Sequence, residues 1–133
     1  MLYAIAYAAI FVPFIALDAV WLTVMGKLVY KPTLGDILLP TVNLPPAIVF
    51  YLLYPIGILV FGVLPALKAG SVQPAIIYAA LFGALAYATY DLTNHATLRN
   101  WTLQITVMDI VWGAFASAVA AAVSYYVARW WGA

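Results

Sequence analysis

Four apolar stretches, near residues 2–25, 45–67, 73–94 and 102–128, are each long enough for the roughly 20 residues that a helix needs to cross a bilayer. Backbone polar groups in hydrocarbon must be satisfied within the protein, so stretches of this kind fold as helices. Composition leaves no soluble alternative. Hydrophobic residues make up 68% and charged residues 7% of 133, against about 25% charge in a soluble domain. No soluble fold of this length could hide so much apolar surface. The expected architecture is therefore an all-α polytopic integral membrane protein, a single domain over residues 1–133 built as an antiparallel four-helix transmembrane bundle. A net charge of +1 offers no basic field, which excludes nucleic acid as a partner. Cysteine is absent, which rules out disulfides, thiolate metal sites and cysteine nucleophiles. The first apolar run lacks a basic preceding region and a small-residue cleavage site, so no cleavable signal is expected.

The connections carry the usual punctuation. Gly26, Lys27, Lys31, Pro32, Gly35, Asp36 and Pro40 lie in the first, Lys68 to Ser71 in the second, and Arg99 and Asn100 in the third. Within the first, Ile37-Leu38-Leu39 suggests a segment lying in the membrane interface. Lys27, Lys31 and Arg99 share one side, whereas Lys68 and Arg129 share the other with both termini, so the positive-inside rule places the termini outside. Tyr3, Tyr30, Tyr78, Trp101, Trp130 and Trp131 fall near helix ends, where their rings are expected to anchor in the headgroup layer. Gly113, Ser117 and Ala121 on the fourth helix, with Ala79 and Gly83 on the third, supply small residues for close helix packing. Pro13 and Pro55 are expected to kink the first and second helices.

The polar residues are few and grouped. Asp18 precedes Lys27 by nine residues and Asp109 follows Asn100 by nine, which puts each roughly 13 Å from the same interface. Asp91, one turn before His95, lies on that side too. A cluster of Asp18, Asp91 and Asp109 roofed by Asn94, His95 and Arg99 follows from chain direction. Asp18-Ala19-Val20-Trp21 and Asp109-Ile110-Val111-Trp112 repeat one pattern, placing a carboxylate and an indole on one helix face and making reciprocal Asp–Trp bonds between the two helices an expected form of glue. Three carboxylates in low dielectric cannot all be ionised cheaply, so at least one is expected to hold a proton. On the third helix Gly83, Tyr87, Asp91 and His95 form one face with Tyr90 and Asn94 beside them. An Asp–His pair at this spacing suits an ion pair or acid–base couple. One His with three Asp would suit only a hard cation as a metal, and no metal or cofactor is assigned. The hydroxyls of Thr93, Thr97, Thr102 and Ser117 lack an activating triad, and phosphate loops and dinucleotide fingerprints are missing, so nothing in the chain compels an enzyme.

Tyr87-Ala88-Thr89-Tyr90-Asp91-Leu92-Thr93-Asn94, then Ala96-Thr97-Leu98, Trp101 and Asp109-Ile110-Val111-Trp112-Gly113, resemble the signature of the small bacterial membrane proteins filed as domain of unknown function 2177. Leu17 to Leu22 and Phe50 to Leu67 resemble it as well, so the likeness spans essentially the whole chain. It implies a four-helix protein of the bacterial inner membrane with no assigned activity, encoded in some members near fatty-acid-modifying enzymes. The polar residues that match are Asp18, Trp21, Tyr54, Tyr90, Asp91, Thr93, Asn94, Thr97, Asp109 and Trp112. His95 departs from the pattern, which implies an apolar or aromatic residue there.

The ligand-binding residues expected from this reading are Asp18, Trp21, Tyr90, Asp91, Thr93, Asn94, Asp109 and Trp112. They would bind a lipid headgroup, a cation or a proton in one leaflet, in support of lipid modification, with membrane lipids as partners. Two alternatives stand beside this: an accessory subunit whose polar groups only specify helix packing, and a small transporter, which four helices could form only as a homo-oligomer.

Overall fold

The computed structural model describes residues 1–133. Its elements are all helical, and four of its helical runs are long and apolar enough to cross a membrane: Leu2–Ile37, Leu44–Ala69, Gln73–Thr97 and Leu103–Trp131.

The first span runs further than the punctuation at Gly26 suggests. Helix α1 (Leu2–Met25) passes into a π turn (Gly26–Tyr30), a short helix α2 (Lys31–Leu34) and a 3-10 turn (Gly35–Ile37). Gly26 keeps ordinary helical angles of φ −57° and ψ −44°, and Pro32 falls in the first turn of α2, where its missing N–H breaks no bond. The run loosens at Gly35, whose φ of +57° is a conformation that glycine adopts without a Cβ penalty. Only residues 38–43 are left as a non-helical connection. The interfacial segment expected between Gly26 and Leu44 is thus mostly a continuation of the first helix.

The second span combines α3 (Leu44–Ile58), a π turn (Leu59–Val63) and α4 (Leu64–Ala69), and ends on the left-handed Gly70 at φ +70°, a common helix stop. The third span is α5 (Gln73–Thr97) and the fourth α6 (Leu103–Trp131). Thr102 caps α6, its hydroxyl accepting from the Ile105 N–H at 3.2 Å, which satisfies one of the open donors at a helix start.

Helix α6 is the centre of the bundle, with 44% of its apolar window buried against 17%, 33% and 22% for the other three spans in chain order. Small residues let its neighbours approach. A Cβ on Gly83 would run into the Gly113 carbonyl and lie 2.6 Å from the Ser117 hydroxyl, and one on Gly113 would run into the Tyr87 ring. Residues 83 and 87 of α5 therefore meet 117 and 113 of α6. On the other side, Ser124 donates to the Ala6 carbonyl at 2.7 Å and Trp112 reaches Asp18. In both cases contacts ascend one helix as they descend the other, consistent with an antiparallel bundle. The main core runs from Ala6, Ile10 and Phe14 through Ile58 and Val63 to Ala116 and Ala120. Val12, Val20, Leu53, Leu85 and Val111 stay outside it, as apolar side chains do when lipid is the surrounding medium.

A Gly83→Ala substitution overpacks this crossing and is expected to destabilise the protein by about 1–3 kcal/mol, whereas Gly26→Ala, with nothing within 4 Å of the new methyl, is expected to be neutral or stabilising. Reversible unfolding of both variants in mixed micelles measures the difference.

Candidate functional site

The repeated Asp-x-x-Trp pattern brings α1 and α6 together through their indoles. Trp21 and Trp112 stack with ring centroids 4.5 Å apart and planes 8° from parallel. Trp112 Nε1 donates to Asp18 Oδ1 at 3.0 Å. The counterpart bond is indirect, because Trp21 Nε1 donates to the Tyr30 hydroxyl at 3.0 Å, and that hydroxyl donates to Asp109 Oδ1. The expected reciprocal glue is thus one direct bond and one bond relayed through a tyrosine. Tyr30, expected as a headgroup anchor, is instead part of the polar network. The π turn explains how. Nine residues make about two and a half turns of a regular helix, which would set Tyr30 on the face opposite Trp21, and the wider winding over Gly26–Tyr30 changes that phase.

A second tyrosine completes Asp18, since the Tyr51 hydroxyl of α3 donates to Asp18 Oδ2. Each Asp18 oxygen therefore has one donor. Asp109 has Tyr30. Asp91 has none: it is 0% exposed, and neither carboxyl oxygen has a hydrogen-bond partner. The carboxyl beside it is that of Asp109, within hydrogen-bonding reach. The expected i, i+4 pairing of Asp91 with His95 is not formed, because Asp91 faces α6. Nor do the three carboxylates meet at one point. No three acidic or imidazole groups gather where they could hold an ion; Asp91 and Asp109 are adjacent, and Asp18 lies across the stacked indoles.

Above this network lies a cavity of about 860 Å³ lined by residues of α1, the first connection, α3, α5 and α6. That is the size of a small-molecule or cofactor pocket, which is mostly apolar with a few placed polar groups. Asp18 and Asp109 are its carboxylates, and Trp21, Tyr30, Phe50, Tyr51, Tyr87, Tyr90, Trp101 and Trp112 supply aromatic surface. Lys31 is its one basic lining residue, and Leu34 and residues 37–40, 42 and 43 form the wall toward the first connection. Asn100 Nδ2 ties that wall down by donating to the Leu34 carbonyl at 3.3 Å. The roof expected from Asn94, His95 and Arg99 is absent, since none of the three lines the cavity.

Of the eight residues expected to bind a ligand, Asp18, Trp21, Tyr90, Asp109 and Trp112 line the cavity, and Asp91 stands behind Asp109. Thr93 is turned away: its exposed hydroxyl donates to the Thr89 carbonyl at 2.5 Å and the Tyr90 carbonyl at 3.0 Å. Asn94 is half-buried outside the lining. Thr97 likewise spends its hydroxyl on the Thr93 carbonyl at 2.8 Å. Tyr54, on the matching pattern, bonds Ser117 at 2.7 Å in the core. Tyr30, Lys31 and Tyr51 were missed as lining residues. Tyr51 and Tyr54 carry a signal, as two hydroxyls at i, i+3 in an otherwise apolar helix.

A family model described as "Predicted membrane protein (DUF2177)" matches residues 3–126. No curated protein and no solved structure matches the chain at a significant level.

Replacing Tyr30 with Phe leaves the Trp21 N–H and one Asp109 oxygen without their partner, so a loss of about 1–3 kcal/mol is expected. Tyr126, 59% exposed, makes no side-chain hydrogen bond, and Tyr126→Phe is expected to stay within about 0.5 kcal/mol of the parent. Chemical unfolding followed by tryptophan emission compares the two.

Proposed function

The chain belongs to the predicted membrane proteins of domain of unknown function 2177, and from that premise we propose that it binds a phospholipid with an ammonium-bearing head in one leaflet of the bacterial cytoplasmic membrane. The observation that carries this reading is the 860 Å³ cavity with Asp18 and Asp109 among a lining in which 15 of 21 residues are hydrophobic. A purely apolar pocket would suit an acyl chain alone. Two carboxylates set among indole and phenol rings suit a cation, because ring faces attract positive charge and do so more strongly where water is scarce. Lys31 supports the zwitterionic form of such a head: an ammonium directed at the carboxylates leaves a phosphate for the lysine, while Leu22, Leu38, Leu39 and Val42 provide apolar contact for the chains. No nucleophile or activated water belongs to this reading. Its role is to hold a lipid, in support of chemistry performed on that lipid.

A second reading keeps the polar groups as packing determinants only, and the closed Trp21–Tyr30–Asp109 relay favours it. The two separate on one experiment. The protein is reconstituted into nanodiscs of phosphatidylethanolamine and phosphatidylglycerol in equal amounts, and retained lipid is measured by native mass spectrometry. Selective retention of phosphatidylethanolamine is expected, weakened about tenfold or more in Asp109→Asn, since a lost charge contact in a desolvated site is worth at least the 1.4 kcal/mol of one decade. No selectivity, or selectivity untouched by the substitution, supports the packing role instead.

A further inference from the structure

Asp91 is not used by the lipid-binding reading, and it is the one buried side chain whose polar atoms are left unpaired. An unpaired ionised carboxylate in a low-dielectric interior costs far more than a bundle of this size can spare, and a group so placed neutralises instead. Its neighbour decides how. Two carboxylates have four acceptor oxygens and no donor, so Asp91 and Asp109 can bond to each other only when one proton lies between them. That proton also satisfies the one acid in the molecule that no tyrosine or indole reaches.

We propose that the Asp91–Asp109 pair is a proton-binding site coupled to the pocket, releasing its proton as an ammonium head binds. The inference rests on the lipid-binding reading for its ligand. Asp109 belongs to both sites: one face lines the cavity and the other meets Asp91. A cation drawn to Asp109 and a proton held by the pair therefore compete for the same negative charge, and their mutual effect is reciprocal. Charge balances in the exchange, with R–NH₃⁺ arriving and H⁺ leaving, and no bond is made or broken besides the O–H bond of the carboxyl.

The other ionisable groups around the pair do not supply an alternative proton partner. Tyr30 reaches it from the π turn, already donating to Asp109, and Asp18 acts from α1 across the indoles. Tyr90 on α5 is a neighbour of Asp91, and His95 is one turn further along that helix. Tyr51 and Tyr54 of α3 are committed to Asp18 and Ser117. Lys31 is the single basic group on the cavity wall and is exposed.

Two measurements on the full chain in phosphatidylglycerol nanodiscs test this. Infrared difference spectra of the lipid-free pocket are expected to show the C=O stretch of a protonated carboxylic acid that disappears in Asp91→Asn; its absence from the parent overturns the pair. Binding of dihexanoyl phosphatidylethanolamine is then followed between about pH 5 and 8, where its amine, like a lysine, keeps its charge. Affinity in the parent is expected to rise with pH, approaching tenfold per unit where the pair titrates, because the proton is the competitor. In Asp91→Asn the amide donates permanently to Asp109, so the fold is kept and the affinity is expected to be flat with pH. Binding with no pH dependence in the parent, while the infrared band is present, overturns the exchange alone. No binding at any pH with the band intact overturns the exchange together with the lipid-binding reading.

Discussion

Polar groups placed in hydrocarbon have to find their partners inside the protein, and here that requirement is met by a single network joining the first and last spans. Trp112 binds Asp18, Trp21 reaches Asp109 through Tyr30, and the two indoles stack between them. Individual hydrogen bonds of this type contribute only about 0.6 kcal/mol on average in membranes. Their weight lies in register. A slip of one residue along either helix would leave two carboxylates and two indoles without donors or acceptors, so the network selects one arrangement out of many that apolar packing alone would accept. The small-residue seam between α5 and α6 adds close contact without specifying where along the helix it must fall.

The same network builds the cavity. Bulky rings held in place by hydrogen bonds cannot collapse into the space beside them, so Trp21, Tyr30, Tyr51 and Trp112 stand as fixed walls, and the first connection closes one side. Asp91 differs from every other polar group nearby because it has no partner except another acid. A protein that only needed packing would gain stability from an apolar residue there. Retaining the acid makes sense when its proton can leave, and Asp109, shared between pair and pocket, gives that departure a cause.

Much of this was legible in the residues. Four spans followed from hydrophobic length, and the closeness of α5 and α6 from Gly83, Gly113 and Ser117. The paired Asp-x-x-Trp motifs indicated that the first and fourth helices would share polar contacts. What could not be read was phase. Tyr30 is assigned to a headgroup position by a regular helix and to the network by a π turn, and the composition of Gly26–Tyr30 does not announce that turn. Thr93 and Asn94 were grouped with Asp91 by sequence proximity, yet successive residues on a helix point in different directions, and only Asp91 faces α6. The wall from Leu34 to Asn43 depends on a tertiary tie, Asn100 to the Leu34 carbonyl, between residues far apart in sequence.

The claim beneath the account is that acids from separate helices are brought side by side within the membrane. All four acidic residues of the chain are aspartates, so labelling the carboxyl carbons of aspartate gives four signals, and solid-state NMR in bilayers can correlate them through space. The account predicts a cross-peak between Asp91 and Asp109 and none from Asp36 to either. An Asp91 carboxyl that correlates with lipid or water and not with Asp109 would contradict it.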